Sequence, residues 1–125
     1  MTAHNIRGLA FASVYVDDFP SAYAFYTEVL GLVKLYDMGT DACFFALPDD
    51  TGLYLQGGNK PAKYAADTMR AAFVFSVDSA GATYARLREV GIQFIHDRPQ
   101  HMGGDDYWFQ FHDPAGNILE ALGPE

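Results

Sequence analysis

The stretch His112-Asp113-Pro114-Ala115-Gly116-Asn117-Ile118-Leu119-Glu120-Ala121 decides the fold. Its first half reads as a turn, because proline fixes its own φ and glycine or asparagine tolerates positive φ. Its second half is strand material, with one carboxylate, Glu120, among the apolar Ile118, Leu119 and Ala121. A charge placed there costs free energy unless something pairs with it. A reduced copy of the pattern stands upstream: Phe45, Asp49 and Gly52 precede Phe109, Asp113 and Gly116 by 64 residues.

The repetition extends towards the N-terminus. Val16-Asp17 returns as Val77-Asp78, Tyr23-Ala24 as Tyr84-Ala85 and Glu28-Val29 as Glu89-Val90, each 61 residues later. Tyr-Ala and Glu-Val are common dipeptides, but several matches in one element order mark a duplicated unit rather than chance. Alternation and turn chemistry predict strands over residues 9–16, 32–37, 42–47 and 53–56, then over 71–77, 92–96, 106–111 and 117–122. Each first strand is followed by a helix. Residues 22–30 place Ala22, Phe25, Tyr26 and Val29 on one face, with Asp18 or Ser21 as cap and Gly31 as the stop. Residues 78–90 do the same with Ala80, Thr83, Tyr84 and Leu87, ending at Gly91. Residues 97–104 are predicted as a loop.

The expected fold class is therefore α+β. Two βαβββ modules, residues 8–58 and 70–123, are joined by a linker at 57–69 rich in Gly, Pro, Lys and Ala. Together they make one domain over residues 1–125. One such module covers only one side of its sheet. Two modules can instead form a curved mixed sheet with helices outside and a concave cleft inside.

Composition bounds the partners. The 125 residues are 50% hydrophobic and 15% aromatic, ample for a core and unlike a disordered chain. A formal net charge of −8 argues against nucleic acid and anionic membrane. The single cysteine, Cys43, excludes an intrachain disulfide, and its neighbours Ala42, Phe44 and Phe45 make it a buried strand thiol. Residues 1–7 are polar and no 18-residue apolar run exists, so a cytoplasmic location is expected.

The chain resembles the vicinal oxygen chelate superfamily, which groups glyoxalase I, bleomycin-binding resistance proteins, fosfomycin resistance enzymes and extradiol dioxygenases. The matching residues are Val16-Asp17-Asp18, Ser21 through Phe25-Tyr26, Val29-Leu30-Gly31-Leu32, Ser76-Val77-Asp78, and Asp113-Pro114-Ala115-Gly116-Asn117 leading to Glu120. The likeness spans about residues 8–123. It implies paired βαβββ modules around a U-shaped cleft and a homodimer, on a scaffold that serves several chemistries and also pure binding.

In metal-dependent members the ion sits at four inward positions, on the first and last strand of each module. Here those positions fall at Phe11, Gln56, Ala72 and Glu120. Phe and Ala carry no donor atom, whereas a catalytic divalent cation needs about three protein ligands. Ala10, Ala12, Ala71 and Phe73, the neighbours in either register, cannot ligate either. No metal or other cofactor is expected, and the four positions read as vestigial. Of the histidines, His4, His96, His101 and His112, none has the spacing of a local metal motif. His101, in a loop beside Gly103 and Gly104, is a candidate acid or base over the cleft, or simply an exposed loop residue.

Alternation from the four positions then lines the cleft. Phe11, Ser13 and Tyr15 point inward from the first strand, Tyr54 and Gln56 from the fourth. The second module supplies Ala72, Val74, Ser76, Trp108, Gln110, Ile118 and Glu120. Such a surface suits a planar, aromatic or cationic organic molecule whose polar end meets Glu120. The same aromatics could instead fill a closed core or a dimer seam, and Glu120 could pair with Arg7 or a partner's arginine. The leading expectation is a metal-free protein that binds a small organic molecule. The alternatives are a lyase, isomerase or dioxygenase on an oxygenated substrate, with Glu120 as base or metal ligand, and a dimeric interaction domain without a ligand.

Overall fold

The computed structural model describes residue 5, residues 7–63 and residues 73–125. The chain order is β1 (Ala12–Tyr15), α1 (Phe19–Ala24) running into a π-helical turn (Phe25–Val29), β2 (Val33–Asp37), β3 (Ala42–Ala46) and β4 (Gly52–Gln56). The order then repeats as β5 (Val74–Ser76), α2 (Ala80–Glu89), β6 (Gln100–Gly103), β7 (Asp106–His112) and β8 (Ile118–Pro124). The curved mixed sheet consists of two four-stranded sheets, ordered β1-β4-β3-β2 and β5-β8-β7-β6. In each, the first strand lies parallel to the last and the other pairings are antiparallel. This is the duplicated α+β architecture that the repeat implies.

Both helices start where short polar side chains stop the first turn's amides from going unpaired. Asp18 Oδ1 accepts from Ser21 N, and Ser79 Oγ accepts from Ala82 N at 3.0 Å. Most of each helix face read from the sequence is buried, with Val29 and Thr83 only half-buried. Ala22, Phe25 and Tyr26 pack from the first, and Ala80, Tyr84 and Leu87 from the second. They meet Val14, Val16, Phe45, Leu53, Leu55, Phe109, Phe111 and Leu119 in one core shared by both modules. The first helix widens at its end, where Leu30 N bonds Phe25 O at 3.0 Å, five residues back.

Module two departs from the expected copy. Residues 92–96 do not form a strand: they touch β7 through a single bridge, Phe94 to Phe111, flanked by backbone bonds from Ile95 N to Gln110 O and from His112 N to Gln93 O. Pro99 follows, with no amide to donate, and a new strand, β6, begins after it inside the expected loop.

The modules are stitched together through polar groups as well as the core. Tyr26 Oη donates to Asp113 Oδ2, Arg86 Nη1 to Val29 O, and Asn117 Nδ2 to the carbonyl of Tyr15. Ala62 N bonds Ala115 O at 2.9 Å, tying the linker to the turn before β8.

Candidate functional site

On the first sheet, alternation leaves the face away from the helix aromatic. Val14 and Val16 are buried, while Phe11 is 48% exposed and Tyr15 50% exposed. The register sets Ser13 beside Tyr54, Tyr15 beside Gln56 and Tyr54 beside Phe44, so their side chains share a face. The rings form one contiguous group: Phe11 to Phe44 at 5.2 Å, Phe11 to Tyr54 at 6.3 Å, Tyr15 to Tyr54 at 6.4 Å, and Tyr36 stacked on Phe44 at 5.6 Å. Gly52 makes this possible, because a Cβ there would sit 2.3 Å from the end of the Phe44 ring. Phe44 and Tyr36 escaped the sequence reading. The signal for Phe44 was available, since the offset that pairs Phe45 with Phe109 also pairs Phe44 with Trp108.

On the second sheet the equivalent face is polar. Gln110 stands directly opposite Glu120, and Trp108 opposite Leu122, on β7 and β8. Trp108 Nε1 donates to Glu120 Oε1. The carboxylate's partner is thus an indole N–H and not Arg7, a pairing that sequence alone could not see because it depends on the β7–β8 register. The His96 ring packs 4.7 Å from the Trp108 ring. Phe109 and Phe111 face the core, and Gln110, although on the Glu120 side, is itself buried. His101 pairs with Tyr107, on the side opposite Trp108, and its Nε2 lies 2.9 Å from the carbonyl of Gly104. Of the two readings the sequence offered for His101, an acid or base over the cleft or simply an exposed residue, this exposed position on the face away from Trp108 favours the second.

Between β1 and β5 runs a crevice of about 1060 Å³. Phe11 and Ser13 line it from one sheet, Val74 and Ser76 from the other, with Phe73, Phe75, Leu53 and Arg86 deeper or at its rim. Of the predicted site residues, Phe11, Ser13 and Ser76 line the crevice, together with Ala82 and Thr83 of α2. Tyr15, Tyr54 and Gln56 lie on the aromatic face, and Trp108, Gln110 and Glu120 on the polar one. Ala72 falls outside the described residues.

The four superfamily metal positions do not fit a divalent ion. Phe11 and Ala72 have no donor, Gln56 offers only a neutral amide, and Glu120 is engaged by Trp108. Among the described residues, no cluster of three or more His, Cys, Asp or Glu could hold a metal. Cys43 is fully buried, and burial first, then the Asp37 charge, pushes its thiol up to about 11.

Comparison with known proteins agrees with this architecture. YetH, an uncharacterised protein of Bacillus subtilis (strain 168), is 27% identical over 117 residues, covering 91% of this chain and 96% of its own. TnmS3, an antibiotic binding protein from Streptomyces sp. CB03234, is 25% identical with a TM-score of 0.74, covering 98% of this chain and all of its own length (100%). The fosfomycin resistance protein FosX of Listeria monocytogenes, solved as a mutant with Mn(II) and 1S,2S-dihydroxypropylphosphonic acid, shares the fold at TM-score 0.74 and 15% identity, covering 96% of this chain and 92% of its own. The family model described as Glyoxalase/Bleomycin resistance protein/Dioxygenase superfamily matches residues 8–121, and the chain belongs to that superfamily.

Proposed function

We propose that this protein binds a small organic molecule with an aromatic body, without a metal, and releases it unchanged. The observation that carries this reading is the contiguous ring group Phe11, Tyr15, Phe44 and Tyr54 on an open sheet face, with Phe11 also lining a drug-sized crevice. Exposed aromatic surface costs solvation, and offset or edge-on rings provide what a planar ligand needs. The donor-poor metal positions support binding over metal chemistry. The relation to TnmS3, an antibiotic binding protein at 25% identity, supports it further. We also propose a homodimer: β1 and β5 are outer strands of their sheets, and Leu9, Val33, Leu35 and Val74 are exposed. No helix among the described residues is long and apolar enough to cross a membrane.

The test is a thermal-shift screen of planar aromatic compounds, neutral and cationic, alongside metal analysis of the purified protein. A ligand at a hundred times its Kd adds about 2.7 kcal/mol and raises Tm by several degrees. Phe11→Ala with Tyr54→Ala should abolish that shift. A screen without any shift, or a shift that survives the double variant, sinks the reading. Stoichiometric Zn, Ni, Mn or Fe overturns its metal-free part.

A further inference from the structure

Around Trp108 stand two buried polar atoms without a hydrogen-bond partner among the described residues. Gln110 is 1% exposed, and its Oε1 has no hydrogen-bond partner among the described residues. His96 Nε2 is buried and equally unpartnered. A buried polar atom without a partner is costly, and native folds keep few of them. The scaffold itself does not ask for glutamine here, since the repeat mate of Gln110 in module one is Ala46. Both orphaned residues gather around one indole. Gln110 faces Glu120 across the β7–β8 ladder, Trp108 gives its N–H to Glu120, and the His96 ring lies against Trp108. The backbone fixes them there: Ile95 N bonds Gln110 O at 3.1 Å, and Tyr84 Oη bonds the carbonyl of His96 at 2.8 Å.

We propose that His96, Gln110 and Glu120 form a subsite for a primary ammonium group carried on an aromatic body, and that the Trp108 indole N–H occupies it in the unliganded protein. The inference rests on the proposed function and names the ligand's polar end. Three polar groups gather around the Trp108 indole: a carboxylate, an amide oxygen and an imidazole nitrogen. A primary ammonium brings three donors and a positive charge, so it satisfies all three where a hydroxyl satisfies one. The indole, turned off Glu120, offers its face to the same cation. A net charge of −8 favours a cationic ligand over an anionic one.

Trp108 is the only tryptophan in the chain, so its emission reports the subsite directly. The experiment is a fluorescence titration with 2-phenylethylamine, 2-phenylethanol and phenylacetate, on the parent and on Gln110→Leu and His96→Phe. The amine is expected to bind at least tenfold more tightly than the alcohol, with a change in Trp108 emission and no detectable binding of the acid. Each variant should weaken the amine at least fivefold and leave the alcohol within twofold. Gln110→Leu should unfold at the same or a higher temperature, since it removes an orphaned atom. Equal binding of amine and alcohol, an amine preference that survives both variants, or a lowered Tm in Gln110→Leu overturns the subsite. If the alcohol or the wider aromatic panel still binds, the binding function stands without it. If no aromatic compound binds, both fall.

Discussion

Tyr26 Oη donates a 2.8 Å hydrogen bond to Asp113 Oδ2, joining the helix of module one to the last turn of module two across 87 residues. The Asp113 carboxylate also accepts from Ala115 N, Asn117 N and Asn117 Nδ2. One side chain therefore shapes the Asp-Pro turn and clamps it to the other module. Tyr26→Phe removes one bond and leaves Asp113 with its other donors, so urea denaturation should show a loss of about 1.5 kcal/mol. Asp113→Ala strands the buried Tyr26 hydroxyl and two turn amides and should cost at least ~3 kcal/mol. Equal losses in the two variants would show that the turn does not depend on Asp113.

The same contact sets an alkaline limit. Burial, then the Asp113 charge and the hydrogen bond to it, holds the Tyr26 hydroxyl well above the usual tyrosine range. The folded state keeps that proton where the unfolded chain gives it up. Stability from this group is thus complete below about pH 10 and declines above it, by about 1.4 kcal/mol per pH unit until the folded group ionises. Cys43 acts with the same sign, its thiol pushed from the ordinary range up to about 11, so Cys43→Ala is the proper background. In that background, Tyr26→Phe should flatten the fall in stability measured above pH 10. A parallel fall in both proteins would assign the alkaline limit elsewhere.

The repeat explains why so much of the fold was legible. Asp49 and Asp113 were paired by a 64-residue offset, and each folds its turn with the same carboxylate-to-amide bonds, Asp49 to Thr51 N and Asp113 to Ala115 N. Period-two patterning likewise set Phe11 and Tyr15 on the cleft face, where both stay about half-exposed while Val14 and Val16 of the opposite parity are buried. What sequence could not supply was side-chain pairing across strands. Glu120 reads as an isolated charge until β7 sets Trp108 and Gln110 beside it. His96 reads as a strand end, because the period over residues 92–96 says nothing of the break at Pro99 that leaves its ring against Trp108.

Cys43 should be chemically silent in the folded protein. It is fully buried in β3, and its raised thiol pKa leaves little thiolate at neutral pH. Labelling with a disulfide reagent at pH 7.5 should run at least ~100-fold slower in buffer than in denaturing urea, where one thiol per chain reacts. Rapid native labelling would mean that β3 opens readily and that the aromatic face beside it is not preformed.

Gly52 gives a way to move the aromatic face without touching its rings. A methyl group at this position would meet the end of the Phe44 ring at 2.3 Å and the carbonyl of Phe45 at 3.4 Å. The carbonyl is at ordinary contact distance, so relief comes from swinging the ring off its aromatic neighbours, and Gly52→Ala should cost about 1–3 kcal/mol of stability. The swing takes Phe44 away from Phe11 and Tyr36, with which it now stacks edge-on and face-on. An aromatic pair contributes about 0.5–1.5 kcal/mol, so binding of a planar ligand should weaken roughly two- to tenfold. Calorimetric titration of Gly52→Ala beside Phe44→Ala checks this. Matching losses tie Gly52 to the position of Phe44, whereas unchanged binding in both variants removes this edge of the face from the ligand's path.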